Sequence, residues 1–351
     1  MRGRRLVVAL VLAASMYAAS PAAEPYGPQS FAGNTGWLNS GPIDAHSLRG
    51  SIVLVDFWEY TCVNCLRTLP YLREWYKRYA KYGFTIVGVH TPEFDFSAQP
   101  VNVQAAVRRL DIGWPVVMDA NLAIWNQYRN DGWPHEYLYD RGGRLVESVF
   151  GEGRYQDTER EIQRLLEAGG VHGLPPVVPL LAQDSYDKPG AVCYPQTAEL
   201  IVKHVPVANA GAFEQPGGEN QYLDSAHHVD GRLYLQGYWK RSSDAVVTTA
   251  PSDSAALAYH AIQVVAVMKP ENGSAIHVDV TQNGRPLSRA DAGSDIRFDS
   301  AGQSFVIVDA ARAYDLVANP AFGQYELRLS PQQYGLGLYS FAFESCEVPH
   351  P

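Results

Sequence analysis

Cysteine is scarce in this chain: four in 351 residues, at Cys62, Cys65, Cys193 and Cys346. None precedes Cys62, which argues against a lipid-anchored start. Charged residues make up only 19%, and no extended block of lysine and arginine occurs. Without one, nucleic acid is not an expected partner. Past the N-terminus, no apolar run approaches the roughly 20 residues that a membrane-spanning helix needs. Helical periodicity is missing beyond about residue 191. What is present suffices for two ordinary domains, since 46% of residues are hydrophobic. The 30 glycines and 23 prolines are spread along the chain, so they signal turns rather than disorder.

The N-terminus has the three-part layout of a secretory signal peptide. Arg2, Arg4 and Arg5 are followed by an apolar run, Leu6 to Ser20, and by small residues around Ala22. Residues 1–22 are therefore expected to be removed, leaving an exported, periplasmic or otherwise extracytoplasmic protein, soluble after cleavage. Losing those three arginines takes the formal charge from −9 to −12. In an oxidising compartment paired cysteines are expected to form disulfides.

From Ser51 to about Gly170, strands and helices alternate. Ile52 to Trp58 and Phe84 to His90 are short apolar runs that predict buried strands. Leu66 to Tyr82 has helical spacing, as do Val103 to Leu110, Asn121 to Tyr128 and Thr158 to Ala168. Tyr137 to Val149 reads as a hairpin turning at Asp140-Arg141-Gly142-Gly143. The pattern predicts an α/β domain over 23–170. A proline-rich connector over 171–190 follows. The region 191–351 then shows many short strand candidates, among them Leu233 to Leu235, Ile262 to Met268, Phe305 to Val308, Tyr325 to Leu329 and Leu338 to Phe343. An all-β sandwich or jelly roll is expected there.

The chemistry concentrates on Cys62-Val63-Asn64-Cys65, at a strand-to-helix junction. A helix N-terminus offers free N–H groups and partial positive charge, which stabilise a thiolate. Cys62 is then the attacking residue and Cys65, one turn into the helix, the resolving one. Competing readings fit less well. A structural zinc site wants a second cysteine or histidine pair at similar spacing, and Cys193 and Cys346 do not supply it. Covalent haem attachment needs histidine where Leu66 stands. A copper carrier could add His90 or His135, but copper chaperones space their cysteines more widely. No metal and no cofactor are expected.

With these residues in place the sequence resembles the thioredoxin superfamily. The resemblance implies a mixed sheet flanked by helices. It implies that Asp56, six residues before Cys62, is a buried base that takes the proton of the resolving thiol. Burial should raise its pKa. It also implies a cis-proline facing the cysteines, for which Pro134 is the candidate and Pro115 the rival. Trp133, Pro134 and Trp58 would then border the substrate groove.

Trp58-Glu59-Tyr60-Thr61-Cys62-Val63-Asn64-Cys65-Leu66-Arg67-Thr68-Leu69-Pro70 and Gly88 to Phe94 are more closely similar to exported thioredoxin-like proteins of the DipZ/TlpA type. In the C-terminal half Arg312 to Val317 and Leu338 to Phe343 carry a looser likeness. That resemblance implies a β-sandwich like a carbohydrate-binding module after the redox domain. It also implies exported protein substrates and, without the membrane domain of DipZ, a separate membrane electron donor of the CcdA/DsbD type. Glu59 departs from the pattern, and a carboxylate beside Cys62 favours the disulfide form. Glu93 is either a second acid near the site or a surface loop residue.

Cys193 and Cys346 bracket the β-rich region and are read as a structural disulfide, with free thiols or electron relay as the alternatives. Closing so long a loop would stabilise by roughly 4–5 kcal/mol in a chain-entropy account. Tyr234, Tyr238 and Trp239 are read as sandwich core in preference to a sugar-stacking platform. The leading function is dithiol–disulfide exchange with exported proteins, as a reductant. Two others stand beside it: a glycan- or partner-binding protein with the thioredoxin unit as scaffold, and a thiol peroxidase. Against the peroxidase, no proline lies between Phe57 and Thr61.

Overall fold

The structure is a computed structural model that describes residues 31–44, 46–181, 187–211 and 217–348. The expected signal peptide, residues 1–22, lies outside them.

The first unit is a six-stranded mixed sheet. Its strands are β1 (Gly36–Leu38), β2 (Ile52–Trp58), β3 (Phe84–His90), β4 (Val116–Met118), β5 (His135–Tyr139) and β6 (Leu145–Phe150), in the order β1-β4-β3-β2-β5-β6. β2 pairs parallel with β3 and antiparallel with β5, and every residue of β2 is buried. That central place explains its unbroken apolar run, since both faces are covered. Helices α1 (Val63–Tyr79), α2 (Pro100–Arg109), α3 (Ala123–Tyr128) and α4 (Tyr155–Ala168) cover the sheet. This is a thioredoxin-like fold.

α1 starts one residue after Cys62, whose sulfur accepts the N–H of Cys65. It ends at Tyr79, and Ala80–Tyr82 continues as a 3-10 turn. Its buried face includes Leu69, Leu72, Trp75 and Tyr79, while Leu66 and Tyr76 are only partly covered. Gly88 on β3 has a specific steric role. A Cβ there would come within 3.0 Å of the Trp58 indole nitrogen and 3.1 Å of that of Trp114.

The proline-rich stretch is not a free connector where it is described. Val178 is buried and donates its N–H to the Glu159 carboxylate on α4 at 2.6 Å. Gln163 bonds the Pro175 carbonyl, and the Leu181 N–H reaches the Tyr71 hydroxyl on α1.

The second unit is all-β. Among the described residues it forms one eleven-stranded sheet, closed barrel-like where Ser254–Pro270 also pairs with Leu336–Glu344. Some of the short strands expected there are segments of longer ones: Ser254–Pro270 has 17 residues and Arg312–Pro331 has 20. Val192–Cys193 and Cys346–Glu347 form a separate two-stranded ladder. Trp239 and Tyr234 are buried, whereas Tyr238 is 44% exposed.

The two units share a core. Phe94 and Phe96 meet Tyr339 with ring centroids 5.4 and 4.7 Å apart, and Ala245, Val265 and Val267 belong to the same apolar cluster. The Asp95 N–H donates to Asp244 at 2.7 Å, and the Lys203 ammonium to the Glu93 carbonyl at 2.5 Å.

Candidate active site

Cys62 caps α1, and its sulfur lies 2.7 Å from that of Cys65. Cys62 is partly exposed, while Cys65 is 2% exposed. Burial pushes the Cys65 thiol well above the ordinary range, and the hydrogen bond to Cys62 adds to the effect. One cysteine is thus presented to the outside and the other kept as a protonated thiol within.

Asp56 sits beneath the pair on β2, 1% exposed, and its Oδ1 makes no hydrogen bond among the described residues. Burial raises its pKa from 3.8 to about 7. Its charge is felt by Cys65, whose thiolate it disfavours. Across the sheet Asp56 pairs in register with Glu136, which is also buried. Desolvation raises the Glu136 carboxyl well above its usual range, and the neighbouring Asp56 adds to this. The sequence reading passed over Glu136. The signal was available: in the β5 hairpin it shares a sheet face with Leu138, an apolar position, so its carboxyl had to point inward.

Glu59 is completely buried. One of its oxygens accepts the Thr61 N–H at 2.5 Å and the Cys62 N–H at 3.1 Å, together with the Thr61 hydroxyl. It therefore braces the turn into α1. Burial raises its pKa, against those hydrogen bonds. Its other oxygen lies 3.8 Å from His90 Nε2, and burial lowers the pKa of that imidazole to about 3. His90 stacks on Tyr60 and packs edgewise against Trp58.

Cys62 opens on a cleft of about 570 Å³ between the two units. Glu93, Trp133, Phe150 and the pair Cys193 and Cys346 line it too. Glu93 is half-buried on the wall of this cleft, and burial, and then the charge of Glu59, raises its carboxyl to about 8. The Trp133–Pro134 peptide is cis, and Pro134 is buried behind Trp133 at the start of β5. Pro115 belongs to the segment entering β4. Trp58, expected at the groove, does not line it. It is 1% exposed and lies in the core under the site, because β2 is the central strand.

Cys193 and Cys346 are bonded, with an S–S distance of 2.05 Å. Arg67, one turn beyond Cys62, is a site residue that the sequence reading missed. It holds Glu152 through two bonds of 2.6 Å and Glu344 at 3.1 Å. Its signal was faint: it is one of three arginines on α1, and nothing in the sequence singles it out.

Fold and site together define a thioredoxin-like dithiol protein with an all-β region behind it. Comparison with known proteins narrows this. Residues 30–148 match the AhpC/TSA family and residues 204–343 match the thioredoxin-like C-terminal domain. DipZ proteins of Mycobacterium bovis and Mycobacterium tuberculosis are each 35% identical over 73% of this chain. The chain spans only 36% of their length. The thiol-disulfide oxidoreductase ResA of Bacillus cereus is 27% identical over 36% of this chain and 71% of its own. A solved thioredoxin-like protein in its oxidised form superposes with a TM-score of 0.38 at 24% identity, over 41% of this chain and 98% of that one. Over most of its own length the chain is thus similar to DipZ, and over its first unit to a thiol-disulfide oxidoreductase. Among the described residues no helix is long and apolar enough to cross a membrane.

Proposed function

We propose that the protein exchanges its Cys62–Cys65 dithiol with disulfides of exported proteins, as a reductant. The observation that carries this is the asymmetry of the pair: Cys62 at a helix N-terminus facing a cleft, Cys65 buried and protonated above Asp56. The Cys62 thiolate attacks a substrate disulfide, forming a mixed disulfide and releasing one substrate thiolate, which takes a proton from water. Cys65 gives its proton to Asp56 and attacks the Cys62 sulfur. The Cys62–Cys65 disulfide forms, and the second substrate thiol leaves. Two electrons pass to the substrate. Trp133 walls the cleft in which it lies, with Pro134 buried behind it.

The leader-like start supports export, and a membrane donor of the CcdA/DsbD type would return the electrons. A second cavity of about 750 Å³, walled by Phe96 and Asn102 of the first unit and by the β region, is lined on the β side by Tyr334, Lys269, Glu271 and Asn272. Tyr334 is 58% exposed. An aromatic face beside polar groups suits a sugar, which supports glycan contact as a second role. A cell-wall polysaccharide array that retains nothing would remove that role.

The redox reading is tested by substitution. Cys62→Ser should abolish reduction of insulin, and Cys65→Ser should trap mixed disulfides with exported proteins. Undiminished insulin reduction by Cys62→Ser would falsify the assignment. Sequencing of the mature N-terminus checks export, with Ala23 as the expected first residue.

A further inference from the structure

The disulfide between Cys193 and Cys346 joins the first and last strands of the β region in a two-stranded ladder outside the eleven-stranded sheet. Both of its cysteines line the cleft onto which Cys62 opens. Cys193 is exposed, whereas Cys346 is 9% exposed.

A chain of polar contacts ties this ladder to the dithiol. Arg67 projects from the first turns of α1, two residues after Cys65. It pairs with Glu344 at 3.1 Å. The other Glu344 oxygen accepts the N–H of Cys346 at 3.0 Å and that of Ser345 at 3.0 Å. The three side chains are well covered, with exposures of 13% for Arg67, 18% for Glu152 and 22% for Glu344. One guanidinium thus anchors the end of the β region to the helix that carries the dithiol.

We infer that Cys193–Cys346 is a second redox pair, which exchanges with Cys62–Cys65 across the cleft within one chain. This rests on the dithiol reading above. The step is balanced within the chain. The Cys62 thiolate attacks the sulfur of Cys193, the accessible one. A Cys62–Cys193 bond forms, the Cys193–Cys346 bond breaks, and the electron pair leaves on Cys346, which takes a proton. Cys65 passes its proton to Asp56 and attacks Cys62, and Cys193 leaves as a thiolate and is protonated. One dithiol becomes a disulfide and one disulfide becomes a dithiol. The electrons then stand on the Cys193–Cys346 pair of the β region.

The test uses the full chain in two preparations, each with two thiols. In one, only Cys62 and Cys65 are reduced. In the other, full reduction is followed by one equivalent of diamide, so that Cys62–Cys65 is oxidised and the remote pair is reduced. With reagents removed, alkylation and peptide mass mapping follow the thiols. Both preparations should converge on one distribution, whichever way the equilibrium lies. The rate should not change on roughly tenfold dilution, because a tethered thiol keeps its effective concentration. Acid-quenched Cys65→Ser should yield a Cys62–Cys193 linked peptide. Preparations that stay distinct for hours, or that converge more slowly on dilution, overturn the relay. Insulin reduction is measured on the same wild-type sample. If insulin is reduced while the preparations stay distinct, the relay alone falls. If insulin is not reduced, the dithiol reading has failed, and convergence still decides the relay.

Discussion

At the scale of single residues Asp56 is the group whose environment says most. Its carboxyl is buried and its pKa is raised from 3.8 to about 7. In the unfolded chain it ionises near the ordinary aspartate value, so between about pH 4 and 7 the native state holds a proton that the unfolded state has lost. Stability from this group is therefore fully present below about pH 4 and is lost as pH rises through about 7. The penalty at pH 8 is roughly 4 kcal/mol. Asp56→Asn should remove it, flattening the urea midpoint between about pH 5 and 8 and raising it at about pH 8. Its resolving step should slow about 100-fold and lose the limb that rises through about pH 7. Stopped-flow release of a bound thiol measures that step. A variant with the wild-type pH profile in both measurements would show that Asp56 is not the base. The position of this aspartate was legible from the superfamily spacing. The burial of Glu136 was legible from its sheet face, but its place opposite Asp56 was not, because a sequence does not name strand partners, and only the β2–β5 register brings the two acids together.

At the scale of elements the turn into α1 rests on Glu59. Its carboxyl takes the N–H groups of Thr61 and Cys62 and the Thr61 hydroxyl. Glu59→Ala would leave those donors without an acceptor in a dry site, at a cost of about 1–3 kcal/mol for a buried unsatisfied group. Glu59→Gln keeps an acceptor oxygen and should cost less. Equal loss in both variants, read from urea unfolding, would mean that the contact is not what Glu59 contributes. The expectation that Glu59 acts on the thiol as a bare carboxylate overlooked these amide bonds. Long apolar runs such as β2 and β3 were readable because burial on both faces leaves little else. β1 and β4 escaped because three residues carry no period. Of Arg312–Pro331 only Tyr325 to Leu329 was expected as a strand, because Asn319-Pro320-Ala321-Phe322 breaks its alternation. In the structure these four residues bulge out of Arg312–Pro331, between partners Gln263↔Ala318 and Ala261↔Gly323. Proline is tolerated at such a bulge because no ladder N–H is required there.

At the scale of the whole molecule the question is whether the two units stand alone. Composition pointed to two domains and a linker, and nothing in the sequence showed that their surfaces match. Phe94 and Phe96 are buried at 2% and 5%, and Tyr339 at 5%, because the all-β region covers them. A Phe in a folded core is worth roughly 1.5–3 kcal/mol over an exposed one. Separated from its partner, the thioredoxin-like unit would expose both rings. We therefore expect one cooperative calorimetric transition for the full chain. Tyr339→Ala should lower the stability of both units together by about 3–5 kcal/mol, the usual cost of removing a large core aromatic. Hydrogen exchange in β2 and in Ser254–Pro270 reports the two units separately. If Tyr339→Ala loosens only Ser254–Pro270, the shared core does not couple them. Joint loosening would mean that the cleft before Cys62 keeps its shape only while both units are folded. The cleft would then belong to the assembled chain and not to the thioredoxin-like unit by itself.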